Sequence, residues 1–236
     1  MSEVLLAWSG GKDSTLALER LLGDASVRVA GLVTTVTTGY DRIAIHGVRR
    51  SILRRQVGLL GIPLIEAEIP PQADNATYEA AFADALERAG GGRVGTIAFG
   101  DLFLADVRAY REAMLARLGW HGLFPLWGED TARLARYFVE LGYHAILSCV
   151  DTEQLDAAFC GRNFDAALLA DLPERVDPCG ENGEFHTCVH AGPIFGGEIA
   201  LERGERVLRD GRFQYVDLIE TQARGDSGHS SRQPTP

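Results

Sequence analysis

The sequence predicts an α/β protein: a parallel sheet with helices on both faces, followed by a smaller α+β unit. Three observations carry this. Apolar, β-branched runs alternate with segments of helical period through the first half. The first run, residues 4–8, is apolar without interruption, as in a strand buried on both faces. After about Trp120 the alternation loosens, and glycine, proline and aspartate become frequent. Strands joined through crossover helices make a parallel sheet.

In chain order, residues 4–8 form the first strand. Residues 14–22 put Leu18, Leu21 and Leu22 on one helical stripe, which Gly23 stops. Residues 27–38 are β-branched and form a second strand. Residues 48–60 form a helix carrying Val48, Ile52 and Leu59, closed by Gly61, and residues 63–69 a third strand. Asn75 or Thr77 caps a helix on which Tyr78, Phe82 and Leu86 recur every four residues, ended by glycines 90–92. Residues 93–99 are the fourth strand, followed by Gly100-Asp101. A helix over 106–118 turns Val107, Tyr110, Met114 and Leu118 inward.

Asp130 and Thr131 then precede a helix with Leu134, Phe138 and Leu141, and residues 144–150 are a strand. Residues 160–197 hold only short extended runs, such as 185–190. Residues 207–208 and 213–219 pair as a hairpin across Arg209-Asp210-Gly211-Arg212. Residues 222–236 contain no large apolar residue and read as a disordered tail. The expected units are 1–119, 120–221 and that tail.

Composition narrows the function. The net charge of −10 argues against nucleic acid as a partner, since non-specific binding rests on phosphate neutralisation. No stretch of about 18 apolar residues is present, so no membrane span is expected. The N-terminus has no positive n-region, and the four cysteines form no CxxC pair. A cytoplasmic protein with reduced thiols follows, with Cys149 and Cys160 as small buried hydrophobes. His46, His121, His144 and His186 lack the spacing of a metal site. Of 23 basic residues, one alone is lysine, Lys12.

That lysine sits in the most informative motif, Ser9-Gly10-Gly11-Lys12-Asp13-Ser14, between the first strand and the first helix. Open parallel sheets bind ligands at the carboxyl ends of their strands. A helix N-terminus offers unpaired N–H groups and a positive partial charge. Two glycines let the backbone approach an anion, Lys12 adds a point charge, and Ser9 and Ser14 add hydroxyls. The whole reads as a phosphate cradle. It is not a G-x4-G-K-[ST] loop, because Leu6 and Asp13 stand where that pattern needs glycine and a hydroxyl residue. Asp13 either orients metal-bound water or caps the helix.

A second string, Asp177-Pro178-Cys179-Gly180-Glu181-Asn182-Gly183-Glu184-Phe185-His186-Thr187, brings two carboxylates and a hydroxyl together. It suits a polar or amine-bearing substrate, or is a turn in which Asn182-Gly183 serves the backbone. Arg49, Arg50, Arg54 and Arg55 read as a solvated helix face, with Arg49 the best of them for a phosphate.

SGGKDS after a first strand resembles the signature of the PP-loop ATP pyrophosphatases, which are Rossmann-like, HUP-type folds. The second string resembles the E-G/N-G-E-x-x-T signature of the diphthine–ammonia ligase (diphthamide synthase) family within that group. The bacterial branch is matched by Thr34-Thr35-Val36, His46-Gly47-Val48-Arg49, Phe99-Gly100-Asp101 and Phe124-Pro125-Leu126-Trp127-Gly128. The likeness runs over about residues 3–220.

The resemblance implies an ATP-dependent ligase that adenylates a carboxylate, forms an amide with ammonia and releases AMP and pyrophosphate. It implies ATP and Mg²⁺ as cofactors. Lys12, Asp13 and Ser14 would be catalytic, and Ser9, Gly10, Gly11, Thr34, Thr35, Gly100 and Asp101 would join them in holding the nucleotide. Mg²⁺ would be held through the ATP phosphates and Asp13. Glu181, Gly183, Glu184 and Thr187 would line the acceptor pocket. Residues 1–119 would bind nucleotide and 120–221 the carboxylate acceptor, a small molecule or a protein; self-association stays open. Asn182-Gly183 and His186 depart from the family's Gly-Gly and acidic or aromatic residue, so an acceptor other than diphthine is expected. A PP-loop RNA-modifying enzyme and a nucleotide hydrolase without ligase activity are the competing readings.

Overall fold

A computed structural model describes residues 1–43, 47–90 and 92–221 of the protein. His46, Gly91 and the tail 222–236 lie outside the described residues.

The first sheet is built from β1 (Ser2–Ala7), β2 (Val27–Thr37), β3 (Arg42–Ile43), β4 (Leu64–Ile69), β5 (Thr96–Ala98) and β6 (His121–Leu123). Its five parallel strands run in the order β4-β2-β1-β5-β6, and the short β3 pairs antiparallel with the end of β2. Helices α1 (Lys12–Leu22) and α2 (Arg50–Leu60) cover one face, where Leu6, Trp8, Leu16, Leu18, Ile52 and Leu53 pack together. Helices α3 (Asn75–Gly90) and α4 (Ala105–Arg117) cover the other, packing Phe82, Leu86, Met114 and Leu115 against Leu5, Ile97 and Phe99. The parallel sheet with helices on both faces is therefore observed.

The second sheet is antiparallel, in the order β8-β7-β10-β9, from β7 (His144–Asp151), β8 (Phe185–Ala191), β9 (Leu201–Arg209) and β10 (Phe213–Glu220). Helices α5 (Thr131–Glu140) and α6 (Ala166–Asp171) accompany it. Its apolar face joins the α1–α2 side of the first sheet in one continuous core. No described helix is long and apolar enough to cross a membrane.

Most expected elements form, with instructive differences. The cap of α3 is Asp74, which accepts from the Thr77 N–H at 2.8 Å, so neither Asn75 nor Thr77 fills that role. Leu22 is 53% exposed, and the buried stripe of α1 is Leu16, Leu18 and Leu21. On α4, Tyr110 and Leu118 face outward while Met114 and Leu115 are buried. Strand β6 was not expected: His121-Gly122-Leu123 offers three residues, none β-branched, and its pairing with β5 supplies what propensity does not. The hairpin turn is as read, with Asp210 and Gly211 both at positive φ.

The topology positions the site. The chain leaves β1 toward β2 and β4 on one side, then crosses to β5 and β6 on the other. The carboxyl ends of β1 and β5 therefore diverge at the strand-order reversal, where such sheets open a crevice.

Candidate active site

The glycine loop spans Trp8 to Lys12, immediately after β1. Gly10 adopts φ +76°, and a Cβ there would lie 2.4 Å from Gln56 Oε1, so both conformation and space require glycine. The Gly10 carbonyl accepts from the Val189 N–H of β8 at 2.9 Å and from Gln56 Nε2 at 3.0 Å. Ser9 and Ser14 hydroxyls lie 3.2 Å apart, and Ser9 Oγ accepts from the Gly11 N–H. The N-cap Gly11 has no side-chain cap. The first N–H of α1, on Lys12, donates to Thr187 Oγ1 at 3.0 Å. The next, on Asp13, is turned to its own carboxylate, and the Ser14 N–H has no protein acceptor among the described residues. Such an orphan donor is what an anion satisfies at a helix start.

The loop opens onto a cleft of about 330 Å³. The ends of β1, β2 and β5 supply Trp8, Ser9, Thr34, Thr35, Phe99, Gly100 and Asp101 to its walls, α3 and α4 supply Tyr78, Phe82 and Arg111, and the segment after Pro178 supplies Gly180, Glu181, Gly183, His186 and Thr187. Gly100 lies so close to α1 that a Cβ would meet the Asp13 carbonyl carbon at 2.9 Å and the Ser14 nitrogen at 3.0 Å. Asp101 is held by Arg111 at 2.7 Å, and that guanidinium lies 4.4 Å from the Phe99 ring centre. Trp8 Nε1 is buried with no acceptor among the described residues, a further orphaned donor beside the loop. The cleft thus fits a nucleotide in volume, aromatic surface and unpaired donors.

Lys12 is arranged differently from expectation. Its side chain is 2% exposed, and Nζ donates to Asp13 Oδ1 at 2.8 Å, to Oδ2 at 2.9 Å and to the Cys179 carbonyl. It lies 5.8 Å from the Phe164 ring centre and 5.6 Å from that of Phe185. Burial works to discharge the ammonium, but the Asp13 carboxylate outweighs it and holds Lys12 above the ordinary lysine range.

The second string forms a tight turn. Asp177 Oδ2 accepts from the N–H groups of Cys179 and Glu181 at 3.1 and 2.9 Å. Gly180 and Gly183 take φ +69° and +84°. Glu184 points into the turn: it is 2% exposed, and its Oε1 accepts from the Asp177 N–H and the Asn182 amide. Its side chain shapes the turn and does not line the cleft. Glu181 faces the cleft, its Oε1 accepting from the Leu102 N–H at 2.7 Å. Burial, with Asp13 and Asp101 nearby, pushes its carboxyl up to about 7.

Of the residues singled out in the sequence, Ser9, Lys12, Asp13, Ser14, Thr34, Thr35, Gly100, Asp101, Glu181, Gly183 and Thr187 meet at this cleft. Gly10 and Gly11 shape its loop from behind. Arg49 does not meet it: its guanidinium is paired with Asp217 of β10. Arg50 and Arg54 are paired with Glu66, and Arg55 with Glu220. Sequence reasoning missed Gln56, Arg111, Tyr78, Phe82 and Trp8. The two α3 aromatics read as a core stripe, and only the site's aromatic demand separates those meanings. All four cysteines are buried, and burial pushes Cys149 up to about 11.

No group of three His, Cys, Asp or Glu side chains is arranged to hold a metal among the described residues. Asp13 is the carboxylate nearest the loop's free donors, so a divalent ion would be held chiefly through nucleotide phosphates.

Residues 2–121 match the family model described as the diphthamide synthase N-terminal domain, and residues 130–218 the one described as the diphthamide synthase C-terminal domain. A curated relative, the diphthine–ammonia ligase of Schizosaccharomyces pombe, is 27% identical over 225 residues, covering 87% of this chain and 37% of that protein. The chain spans little more than a third of that relative's length.

Proposed function

The chain belongs to the diphthamide synthase family, and on that premise we propose that it is an ATP-dependent ligase that turns a carboxylate into an amide. The observation that carries the proposal is the helix start at the head of the cleft, where the Ser14 N–H stands without a protein acceptor among the described residues, beside the Ser9 and Ser14 hydroxyls.

In the first step a carboxylate oxygen of the acceptor attacks the α-phosphorus of ATP, and the α–β bridge breaks toward pyrophosphate. In the second, ammonia attacks the acyl carbon and loses a proton, and AMP leaves with the bonding pair. The loop, Ser9 to Ser14, holds the departing β,γ-phosphates, where charge develops and fixed donors matter most. Mg²⁺, held in part by Asp13, would add charge neutralisation. Thr34 and Thr35 at the end of β2 hold the adenosine, and Gly100 admits α1 to close quarters with β5. Glu181 and Gly183 face the acceptor, Glu184 fixes the turn, and Thr187 holds the first N–H of α1 at the cleft wall. Residues 1–119 are then the nucleotide half and 120–221 the acceptor half. The departure at His186 favours an acceptor other than diphthine.

The test is product analysis: ATP labelled at the α and γ positions, with Mg²⁺, ammonium and a panel of carboxylate acceptors. AMP and pyrophosphate are expected, and ADP with inorganic phosphate contradicts the proposal.

A further inference from the structure

The lone lysine of the chain does not extend into the open cleft. Its ammonium is spent on two protein groups that belong to different parts of the site: the Asp13 carboxylate beside the loop's free donors, and the Cys179 carbonyl in the turn that carries Glu181. The turn's other end is fastened by Glu181 to the segment after β5. The turn is thus strung between the ends of β1 and β5, with two positive-φ glycines, Gly180 and Gly183, as its pivots.

We infer that Lys12 is a positioning residue that ties the phosphate loop to the acceptor turn, and that a nucleotide phosphate releases the turn by drawing the ammonium away. This rests on reading the loop as the phosphate site. A phosphate seated on the Ser14 N–H and the Ser9 and Ser14 hydroxyls brings negative charge beside the Asp13 carboxylate. It repels that carboxylate and offers the ammonium a stronger partner within reach. An ammonium has three donors and a compact charge, so it can exchange partners without leaving its cage of Phe164 and Phe185. Once the Cys179 carbonyl loses its donor, the turn pivots on its glycines. Nucleotide would then enter first and the acceptor second, and an acceptor that holds the turn open would in return tighten nucleotide binding by the same factor.

Hydrogen exchange of peptides covering residues 177–187 tests this, with and without Mg²⁺ and α,β-methylene ATP. The amides of Cys179 and Glu181, now held by Asp177, should exchange about tenfold faster with nucleotide bound. Lys12→Met keeps the apolar stem, so in that variant exchange should already be fast without nucleotide and should not respond to it. A purely structural lysine would leave the nucleotide response in place. Wild-type protein that binds the analogue without any change in the turn overturns the inference. So does Lys12→Met with wild-type exchange in the nucleotide-free state. Wild-type protein that binds no nucleotide overturns the phosphate reading itself. Should Lys12→Met fail to fold, amine labelling of the wild type decides. The single ε-amine should resist a sulfonated succinimidyl ester in the nucleotide-free protein, and labelling at the rate of a free amine overturns the tether.

Discussion

Glu181 is the residue whose ionisation the site controls most visibly. Its carboxyl, lifted from 4.5 to about 7 mainly by burial, binds a proton in the folded protein that the unfolded chain has released. Between those values the native state holds more protons, so stability falls as pH rises through the window. Glu181→Gln keeps an oxygen to accept from Leu102 and removes the charge. It should raise stability by about 1 kcal/mol at pH 8, a figure reduced for the group's partial exposure, and change little at pH 5. Thermal unfolding at the two pH values checks this, and an equal shift at both would show that burial does not set the carboxyl's ionisation. Little of this could be read from the sequence. Glu181 and Glu184 look equivalent in the string, yet one faces the cleft and the other is consumed by Asp177 and Asn182. The buried setting of Lys12 was equally hidden, because its partner carbonyl is 167 residues away.

Among the elements, α1 and its loop were legible because their chemistry is local: a glycine turn, a helix start and hydroxyls within six positions. The brace behind them was not. Gln56 on α2 is fully buried, and its Nε2 donates to Gly10 O at 3.0 Å and Val189 O at 2.6 Å, joining the loop, α2 and β8. A glutamine in an amphipathic helix carries no mark of that role. Replacing it by Met leaves the Val189 carbonyl without this donor and frees Gly10 to leave its left-handed conformation. The expected result is a loss of about 1–3 kcal/mol in stability, together with weaker binding of pyrophosphate by the folded variant. Isothermal titration with pyrophosphate reads the second effect, and an unchanged affinity would mean that α2 does not shape the loop. The arginines of α2 make the contrast: as a charge run they suited phosphate or solvent, and they serve as ion-pair partners. Arg50 and Arg54 hold Glu66 down to about 2, and Arg49 reaches across to Asp217 on the second sheet.

At the scale of the molecule, the first sheet was readable because buried parallel strands are continuous apolar runs. The second was readable only in part: strand 144–150, the run 185–190 and the hairpin turn stood out, but the first half of β9, residues 201–206, is charged and glycine-bearing and takes its extended form from pairing with β10. That second sheet closes the site. It supplies Thr187 to the first N–H of α1 and the Val189 N–H to the Gly10 carbonyl, so neither half builds the glycine loop alone. The central claim is that this two-sided loop grips the β- and γ-phosphates of ATP. A crystal structure with Mg²⁺ and α,β-methylene ATP tests it most directly. Phosphate oxygens are expected in hydrogen-bond contact with the Ser14 N–H and with the Ser9 and Ser14 hydroxyls. Phosphates bound elsewhere, with the Ser14 N–H still without a partner, would contradict the claim.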